Sequence, residues 1–305
     1  MVDREYSTLS IQRDTLKHLS QKFTYNDALA KIREESYFTA SNCRIRDAKD
    51  RFHYQLSLDT KGQYPGLLDT KLNGGLRTSY VTQICGEAGA GKSNFCYWLL
   101  AHTITPKIFR GAEKVAILIE TESASIERIA AMVPESHREE SMERLLVYKA
   151  PSSDTLKEIV TELLPKIVRE RQNVGLIVID SIAAPLGHLR GYERKSMFVE
   201  IGDSLRALTR DFRCVVVVTN QVRSHIDQDY SILPEDGVER NKPFELIDRR
   251  FVPALGLAWR RQIDVSFHIV KFGARRKLIA YNVPYAEYFE VEMLLSDEIS
   301  FKEID

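Results

Sequence analysis

The fold is decided by GEAGAGKSN, residues 86–94, in which Gly86, Gly91, Lys92 and Ser93 satisfy the spacing G-x-x-x-x-G-K-[ST]. Glycines at these positions let backbone N–H groups converge on phosphate oxygens, the lysine neutralises β- and γ-phosphate charge, and the serine hydroxyl ligates Mg²⁺. An apolar run, VTQIC, precedes the stretch, and a helical pattern, SNFCYWLLAH, follows it. This context predicts a phosphate loop between a strand and the positive end of a helix.

Two residues are predicted to hold a magnesium ion beside the nucleotide. Ser93 supplies a hydroxyl, and Asp180 ends the buried run VGLIVID as a Walker B carboxylate does. Asp180 has an alternative interpretation as the cap of the next helix, because Asp is a favourable N-cap residue. The predicted nucleotide-binding residues of the loop are Gly86, Glu87, Ala88, Gly89, Ala90, Gly91, Lys92, Ser93 and Asn94.

Hydrolysis of the nucleotide would need a base that orients water against the γ-phosphate. Glu120 and Glu122 follow the run KVAILI, and the carboxyl ends of such strands are where α/β sheets place ligands. The alternative is that these carboxylates favour a helix start, where the helix dipole stabilises them. Asn220 and Gln221 end another run, CVVVVTNQ, where an amide could sense the γ-phosphate or serve as a turn residue.

The other apolar runs predict an α/β fold. They are rich in Val and Ile without polar alternation, which is typical of strands buried on both faces of a mostly parallel sheet with helices on both faces. The predicted strands are residues 79–85, 114–120, 145–149, 174–180, 214–220 and 262–272, and the predicted helices are residues 93–104, 123–133, 153–171 and 198–212. The turn FGARRK predicts that the last strand pairs with LIAYNV as an antiparallel hairpin.

A change in glycine content predicts two domains. Residues 1–61 contain no glycine and place apolar residues at helical spacings, which predicts a small N-terminal helical appendage. The appendage ends in a linker strand, RFHYQLSL, and the core is expected to occupy residues 62–305.

Composition limits the function classes. Lys and Arg total 43 and Asp and Glu total 43, so no overall positive charge attracts nucleic acid, and any DNA contact must be local. The N-terminal stretch MVDREYSTLS and the strand-length apolar runs predict neither a signal peptide nor a membrane span, hence a soluble intracellular protein with no membrane partner. The cysteines include no C-x-x-C pair, which fits reduced thiols: Cys43, Cys85, Cys96 and Cys214.

Five motifs taken together resemble the RecA-fold recombinase family of eukaryotes and archaea over about residues 62–290: LLDTKLNGGL, GEAGAGKS, ILIETE, LIVIDSIAAP and VVVTNQV. Two stretches, DSIAAPLG and RRFVPALGLAWRRQIDV, are most similar to recombinase paralogues of the X-ray-repair cross-complementing type. The resemblance implies a RecA-like P-loop NTPase core that binds ATP and Mg²⁺ and hydrolyses ATP slowly, with stimulation by DNA. It also implies a nuclear protein that assists homologous recombination and double-strand break repair as a mediator of recombinase filaments, and that assembles with the recombinase or other paralogues.

The resemblance also implies roles for individual residues. It makes Glu122 the general base, Asp180 the magnesium carboxylate and Gln221 the γ-phosphate sensor, with Lys92 as the third catalytic residue. Arg128, in SASIERI, corresponds to an arginine that stacks on adenine, although this segment is about one residue shorter than in the family.

Several departures from the family bear on DNA and protein contacts. A helix-hairpin-helix module needs glycine, and none occurs before Gly62. In YFTAS, Ser41 stands where the family's protomer-joining motif has Ala, so Phe38 has an alternative interpretation as a packing aromatic. The segment in the place of the second DNA-binding loop, residues 222–250, holds five basic and seven acidic residues, a balance that repels phosphate.

The first DNA-binding loop of the family corresponds to PLGHLRGYERKS. Arg190, Arg194 and Lys195 flank Tyr192 there, a mixture of charge and stacking that suits single-stranded DNA. The alternative is a solvated surface turn. The basic hairpin tip formed by residues 275–277 could likewise touch phosphate or keep an edge hairpin soluble.

Three other functions compete with a mediator ATPase. A non-catalytic scaffold would bind nucleotide without turnover, and a strand-exchange recombinase would form filaments itself on single-stranded DNA. A small-molecule kinase also uses a phosphate loop, but the strand series does not suggest the lid of such an enzyme.

Overall fold

The computed structural model describes residues 45–46, 53–54, 66–109, 111–171, 173–224, 251–295 and 299–304. The helices expected within residues 1–61, the interpretation of Phe38 and Ser41, and Cys43 lie outside these residues. So does most of the acidic segment, and all of these stay predictions.

A small antiparallel sheet precedes the phosphate loop. Its strands are β1 (Ile45–Arg46), β2 (His53–Tyr54) and β3 (Leu76–Arg77), in the order β1-β2-β3. The strand β2 lies within the predicted linker strand, and its partner β3 lies beyond the expected domain boundary at residue 62. Strand pairing therefore crosses that boundary, and the division into two domains stays a prediction.

The main sheet of the described chain has ten strands. Nine of them lie in the order β13-β12-β11-β10-β4-β8-β7-β5-β6, and β9 pairs with β8. The strands are β4 (Val81–Gly86), β5 (Val115–Glu120), β6 (Leu145–Lys149), β7 (Val174–Asp180), β8 (Val215–Ser224), β9 (Phe251–Pro253), β10 (Val265–Phe272), β11 (Arg275–Asn282), β12 (Phe289–Leu295) and β13 (Ile299–Lys302).

The six strands from β10 to β6 are parallel, and they are the six that the apolar runs predict. Every residue of β4 and β5 is buried, as expected for strands covered on both faces. The predicted antiparallel hairpin is also confirmed, because β10 pairs with β11 through the turn at Gly273.

Helices cover both faces of the sheet. One buried cluster contains Phe95 and Trp98 of the helix after the phosphate loop, and the opposite cluster contains Phe198 and Trp259. The predicted α/β architecture is thus confirmed, and both tryptophans lie in the core. The helices are α1 (Leu67–Lys71), α2 (Lys92–Ile104), α3 (Ile126–Ala131), α4 (Arg138–Met142), α5 (Ser153–Glu158), α6 (Leu164–Glu170), α7 (Ala183–Leu186), α8 (Gly191–Asp211) and α9 (Gly256–Arg260).

Three predicted helices differ from the observed ones, and one of these, expected over residues 123–133, is only shorter and spans Ile126–Ala131. The helix expected over residues 153–171 is interrupted by a π-helical segment, Ile159–Leu163, between α5 and α6. The helix expected from residue 198 begins at Gly191. The prediction missed its first turns because they are largely exposed and so lack the apolar spacing that marks a buried face.

The sequence interpretation missed the C-terminal hairpin, β12 and β13. Phe301 of β13 packs edge-to-face against Phe95 and Trp98 of α2, with ring centroids 6.0 and 5.6 Å apart. The hairpin therefore buries the apolar side of the helix that follows the phosphate loop.

Across the ranges that the structure covers, no helix is both long and apolar enough to cross a lipid bilayer. The cysteines in these ranges, Cys85, Cys96 and Cys214, are buried free thiols.

Candidate nucleotide site

The phosphate loop joins the end of β4 to the start of α2, and its backbone requires glycine at two motif positions. A Cβ on Gly86 would lie 2.6 Å from the carbonyl oxygen of Ile269, so only glycine lets β10 approach this closely. Gly91 precedes α2 with φ of 106°, a left-handed conformation that favours glycine. The loop is thus shaped by its glycines to present backbone amides at the start of α2.

Lys92 extends over the loop. Its Nζ donates hydrogen bonds to the carbonyl oxygens of Gly86, at 2.9 Å, and Glu87, at 2.8 Å. Burial lowers the pKa of Lys92, and the negative charges of Asp180 and Glu122 oppose that shift. The ammonium group therefore lies within electrostatic range of the predicted base, Glu122, and of the predicted magnesium carboxylate, Asp180.

Asp180 ends β7 and is half-buried. The Oγ1 of Thr219, on the neighbouring strand β8, donates a hydrogen bond to Asp180 Oδ1 at 2.5 Å. The structure does not give Asp180 the capping role of the alternative interpretation, since Ser181 Oγ accepts the amide hydrogen of Ala184 in that turn. A carboxylate and the Ser93 hydroxyl are hard oxygen ligands, so these two residues fit Mg²⁺.

The two carboxylates after β5 lie in different environments. Glu120 is buried, and its carboxylate accepts the amide hydrogen of Ala124 at 2.8 Å and pairs with Lys149 at 3.1 Å. Glu122 is exposed, and its Oε1 accepts a hydrogen bond from Gln221 Nε2 at 3.4 Å. Glu120 therefore holds the turn, whereas Glu122 faces the site.

The two amides after β8 also separate into two roles. Asn220 is fully buried and donates to Gln83 Oε1 at 2.9 Å, and the same oxygen accepts from Trp259 Nε1 at 3.0 Å. Asn220 is thus committed to the interior. Gln221 is exposed at the end of the sheet beside Glu122, so it is the amide available to a phosphate.

Arg128 lies exposed on α3, the helix that follows Glu122. The start of this helix is tied to α2, because the amide of Ser125 donates to the hydroxyl of Tyr97 at 3.2 Å. Within the described ranges, the Arg128 side chain forms no hydrogen bond or ion pair, and its contact with adenine stays a prediction.

Of the basic residues assigned to a DNA-binding loop, Arg194 and Lys195 lie in the first turns of α8, and Arg190 directly precedes this helix. Their contact with DNA stays a prediction. Arg190 donates to the carbonyl oxygens of Gly187 and Leu189. Arg194 donates to the carbonyl oxygen of Leu255 at 2.7 Å and lies 5.1 Å from the Phe198 ring. The exposed side chains here are those of Arg190, Tyr192, which is 85% exposed, Glu193 and Lys195.

The basic hairpin tip is largely neutralised by its own sheet. Arg275 forms a two-pronged ion pair with Glu292, at 2.6 and 2.7 Å, and Lys302 approaches the same carboxylate at 3.0 Å. Lys277 pairs with Glu290 at 2.5 Å. These contacts favour the interpretation of the tip as a stabilised edge hairpin rather than a phosphate contact.

Three polar residues of this region were missed by the sequence interpretation: Thr121, Ser181 and Thr219. Thr219 is buried and its Oγ1 bonds Asp180, and the Thr121 hydroxyl bonds the backbone of Ser181. The available signal was a hydroxyl within or directly after an apolar run, in VVVVTNQ and in LIETE.

The sequence of this chain is similar to that of a known protein family. The Rad51 family profile matches residues 58–243, which is more than half of the chain and includes every residue of the candidate site. The chain belongs to the Rad51 family. The family assignment agrees with the resemblance that the motifs predict, and with the observed fold.

Three of the proteins that this chain is similar to are DNA repair proteins. The chain is 26% identical to DNA repair protein rhp57 of Schizosaccharomyces pombe over 67% of this chain and 66% of that protein. It is 30% identical to DNA repair protein XRCC3 of Mus musculus over 69% of this chain and 61% of that protein. It is 35% identical to DNA repair and recombination protein RadB of Methanococcoides burtonii over 56% of this chain and 73% of that protein. The matches to rhp57 and XRCC3 span less than two thirds of those proteins' lengths.

Proposed function

We propose that this Rad51-family protein is an ATP-binding, DNA-dependent ATPase that mediates recombinase filaments in homologous recombination and double-strand break repair. The observation that carries the proposal is the contact between Glu122 and Gln221, 3.4 Å apart, within electrostatic range of Lys92. A base, an amide and a cation thus converge on one phosphate loop. That grouping is what hydrolysis of a γ-phosphate requires.

Each residue has a distinct task in this proposal. Ser93 and Asp180 would hold Mg²⁺, which supplies charge neutralisation at the β- and γ-phosphates when it is bound. Lys92 exchanges its carbonyl partners for phosphate oxygens. Glu122 accepts a proton from the attacking water and holds that water in line, while Gln221 donates its amide hydrogen to the γ-phosphate.

The names of the relatives support a role in DNA repair, and the proposal extends that role to this chain as a nuclear protein. Its partners would be the recombinase or other paralogues, together with single-stranded DNA. Tyr192 and Lys195 are exposed at the start of α8 and offer a ring and a charge to a single strand.

A non-catalytic scaffold is the second candidate function. It is favoured by the excess of acidic residues in the segment 222–250 and by the engagement of Arg190 and Arg194 with backbone carbonyls. A scaffold would bind ATP for stability and would dock proteins rather than DNA.

ATP turnover by the purified protein separates the two functions. Turnover is measured with and without single-stranded DNA for the unmodified chain, Lys92→Ala and Glu122→Gln. We expect slow turnover that DNA accelerates and that both substitutions abolish, with ATP binding retained in Glu122→Gln. Tight ATP binding without turnover in the unmodified chain would instead establish the scaffold.

A further inference from the structure

One hydroxyl joins the two strand ends that carry the predicted base and the predicted metal carboxylate. The Oγ1 of Thr121 donates to the carbonyl oxygen of Ser181 at 2.9 Å and accepts the amide hydrogen of the same residue at 2.9 Å. The backbone amide of Thr121 also donates to the carbonyl oxygen of Asp180 at 3.0 Å. Three hydrogen bonds thus connect Thr121 with two consecutive residues on the other strand.

These bonds extend the strand pairing beyond the last ladder position. The parallel pairing of β5 with β7 ends at Glu120 opposite Asp180, where each chain turns toward a different helix. Without further hydrogen bonds, the two segments that follow Glu120 and Asp180 would be free to diverge. Thr121 supplies these bonds at the residue that directly precedes Glu122, and its hydroxyl bonds Ser181, the residue that directly follows Asp180.

The rest of the turn is fixed independently of this hydroxyl. The carboxylate of Glu120 accepts the amide hydrogen of Ala124, and the Tyr97 hydroxyl accepts that of Ser125. The far end of the turn is therefore anchored to β5 and α2. Loss of the Thr121 hydroxyl would change the position of the turn relative to β7 rather than unfold it.

We propose that Thr121 is a positioning residue whose hydroxyl fixes the Glu122 carboxylate relative to the Asp180 carboxylate across the ends of β5 and β7. The role rests on the proposed ATPase function, because it acts through the residues that hold water and Mg²⁺. Thr121 itself touches neither the nucleotide nor the metal in this scheme.

The substitution Thr121→Val tests the hydroxyl alone, since valine keeps the branched shape but can neither donate nor accept. It leaves the amide and carbonyl of Ser181 without their side-chain partner. Thr121→Ser keeps the hydroxyl and is the conservative rescue. Thr161→Val is the matched control, because its hydroxyl also bonds a backbone carbonyl, that of Lys157 at 2.9 Å, but on the helical segment between α5 and α6.

The primary measurement is a titration with Mg²⁺ of the binding of a fluorescent ATP analogue. It gives the Mg²⁺ concentration at which the metal has half of its full effect on binding. We expect Thr121→Val to raise this concentration about tenfold, the lower end of the effect of removing a group that supports a metal ligand. Binding in EDTA should be unchanged, since Lys92 and the loop amides are intact. Where turnover is measurable, kcat should fall about tenfold with KM changed by less than about twofold.

Thr121→Ser should restore both values, and Thr161→Val should match the unmodified protein. The proposal is overturned if Thr121→Val behaves like the unmodified chain, or if Thr121→Ser is as impaired as Thr121→Val. Loss of binding in EDTA for Thr121→Val would also overturn it, because a general structural role would then explain the defect. If the unmodified chain lacks turnover, the ATPase proposal fails alone, while the Mg²⁺ measurement still decides the role of Thr121.

Discussion

The side-chain amide of Gln221 lies 3.4 Å from the carboxylate of Glu122, although the two residues are 99 positions apart in the chain. They come from β8 and from the turn after β5, which flank β7 in the sheet. The contact therefore spans the strand that ends in Asp180. A change at one of these three strand ends should be transmitted to the other two.

The first prediction concerns the amide of Gln221. Gln221→Leu keeps the size of the side chain but removes its hydrogen-bond donors to phosphate and to Glu122. We expect ATP turnover to fall by about a hundredfold, which is the lower end of the effect of removing a positioned hydrogen-bond donor. The affinity for ATP should change much less. Turnover and binding of a fluorescent ATP analogue are measured on the same samples. Unchanged turnover would remove Gln221 from the catalytic set.

The second prediction tests the close approach at Gly86. Gly86→Ala places a methyl group 2.6 Å from the Ile269 carbonyl oxygen, so either β10 or the phosphate loop must shift. We expect a loss of stability of about 1–3 kcal/mol, measured by urea unfolding, together with loss of nucleotide binding.

Gly273→Ala is the control for this overpacking, because it also adds one methyl group but meets nothing within 4 Å at the hairpin turn. It costs stability through its positive φ, 59°, yet should leave nucleotide binding intact. Equal binding by the two variants would contradict the argument from the Ile269 contact.

The third prediction concerns the ion pairs of Glu292. The hydrogen bonds from Arg275 and Lys302 lower the pKa of Glu292 from 4.5 to about 2. A carboxylate with a depressed folded-state pKa contributes stability above the unfolded pKa, and that contribution is lost as the pH falls toward the folded value. Glu292→Gln should therefore lower the urea midpoint at neutral pH, and its difference from the unmodified chain should shrink below about pH 4.5.

Glu287→Gln is the matched control for this carboxylate. Glu287 is exposed in the connection before β12, and the structure shows no ion pair for it within the described ranges. Its substitution should leave the midpoint unchanged at both pH values. A constant gap between Glu292→Gln and the unmodified chain across the acidic range would contradict the assigned pKa.

The fourth prediction separates exposed from engaged residues at the start of α8. Tyr192 is 85% exposed, so Tyr192→Ala should weaken binding of single-stranded DNA by about 1–3 kcal/mol, the loss of one stacked base, without changing stability. Arg194→Ala should instead destabilise the fold, because Arg194 holds the carbonyl oxygen of Leu255.

Fluorescence anisotropy with an oligonucleotide measures the first effect, and thermal unfolding measures the second. Val199→Ala, an exposed change on the same helix, is the control for both. Unaltered DNA binding by Tyr192→Ala would mean that the start of α8 is not the single-strand surface.

Much of the core was predictable from the sequence because its signals are local. The phosphate loop lies within nine consecutive residues, and the parallel strands are apolar runs that need no knowledge of their partners. Asp180, Glu122 and Gln221 were predictable as strand-end residues, since parallel strands bring their carboxyl ends to one edge. The contact between Glu122 and Gln221, however, depends on the order of the strands in the sheet, which cannot be read from the sequence.

The features that were missed depend on distant partners. Thr121 and Ser181 are 60 positions apart, and nothing near either residue shows that they meet. The C-terminal hairpin carried a usable signal, because Phe289, Val291 and Met293 alternate with glutamates as a half-buried strand does. The start of α8, in contrast, carried no usable signal, since its first residues face solvent and show no periodic pattern.

The packing of Phe301 against Phe95 has a consequence for how this chain is made. A ribosome that adds about 5–20 residues per second needs roughly ten to forty seconds to travel from one residue to the other. During that interval the phosphate-loop helix has been synthesised, but the ring that covers it has not. The end of the sheet that carries the phosphate loop thus matures only after translation of the distal hairpin, and until then the apolar side of α2 is exposed and available to chaperones.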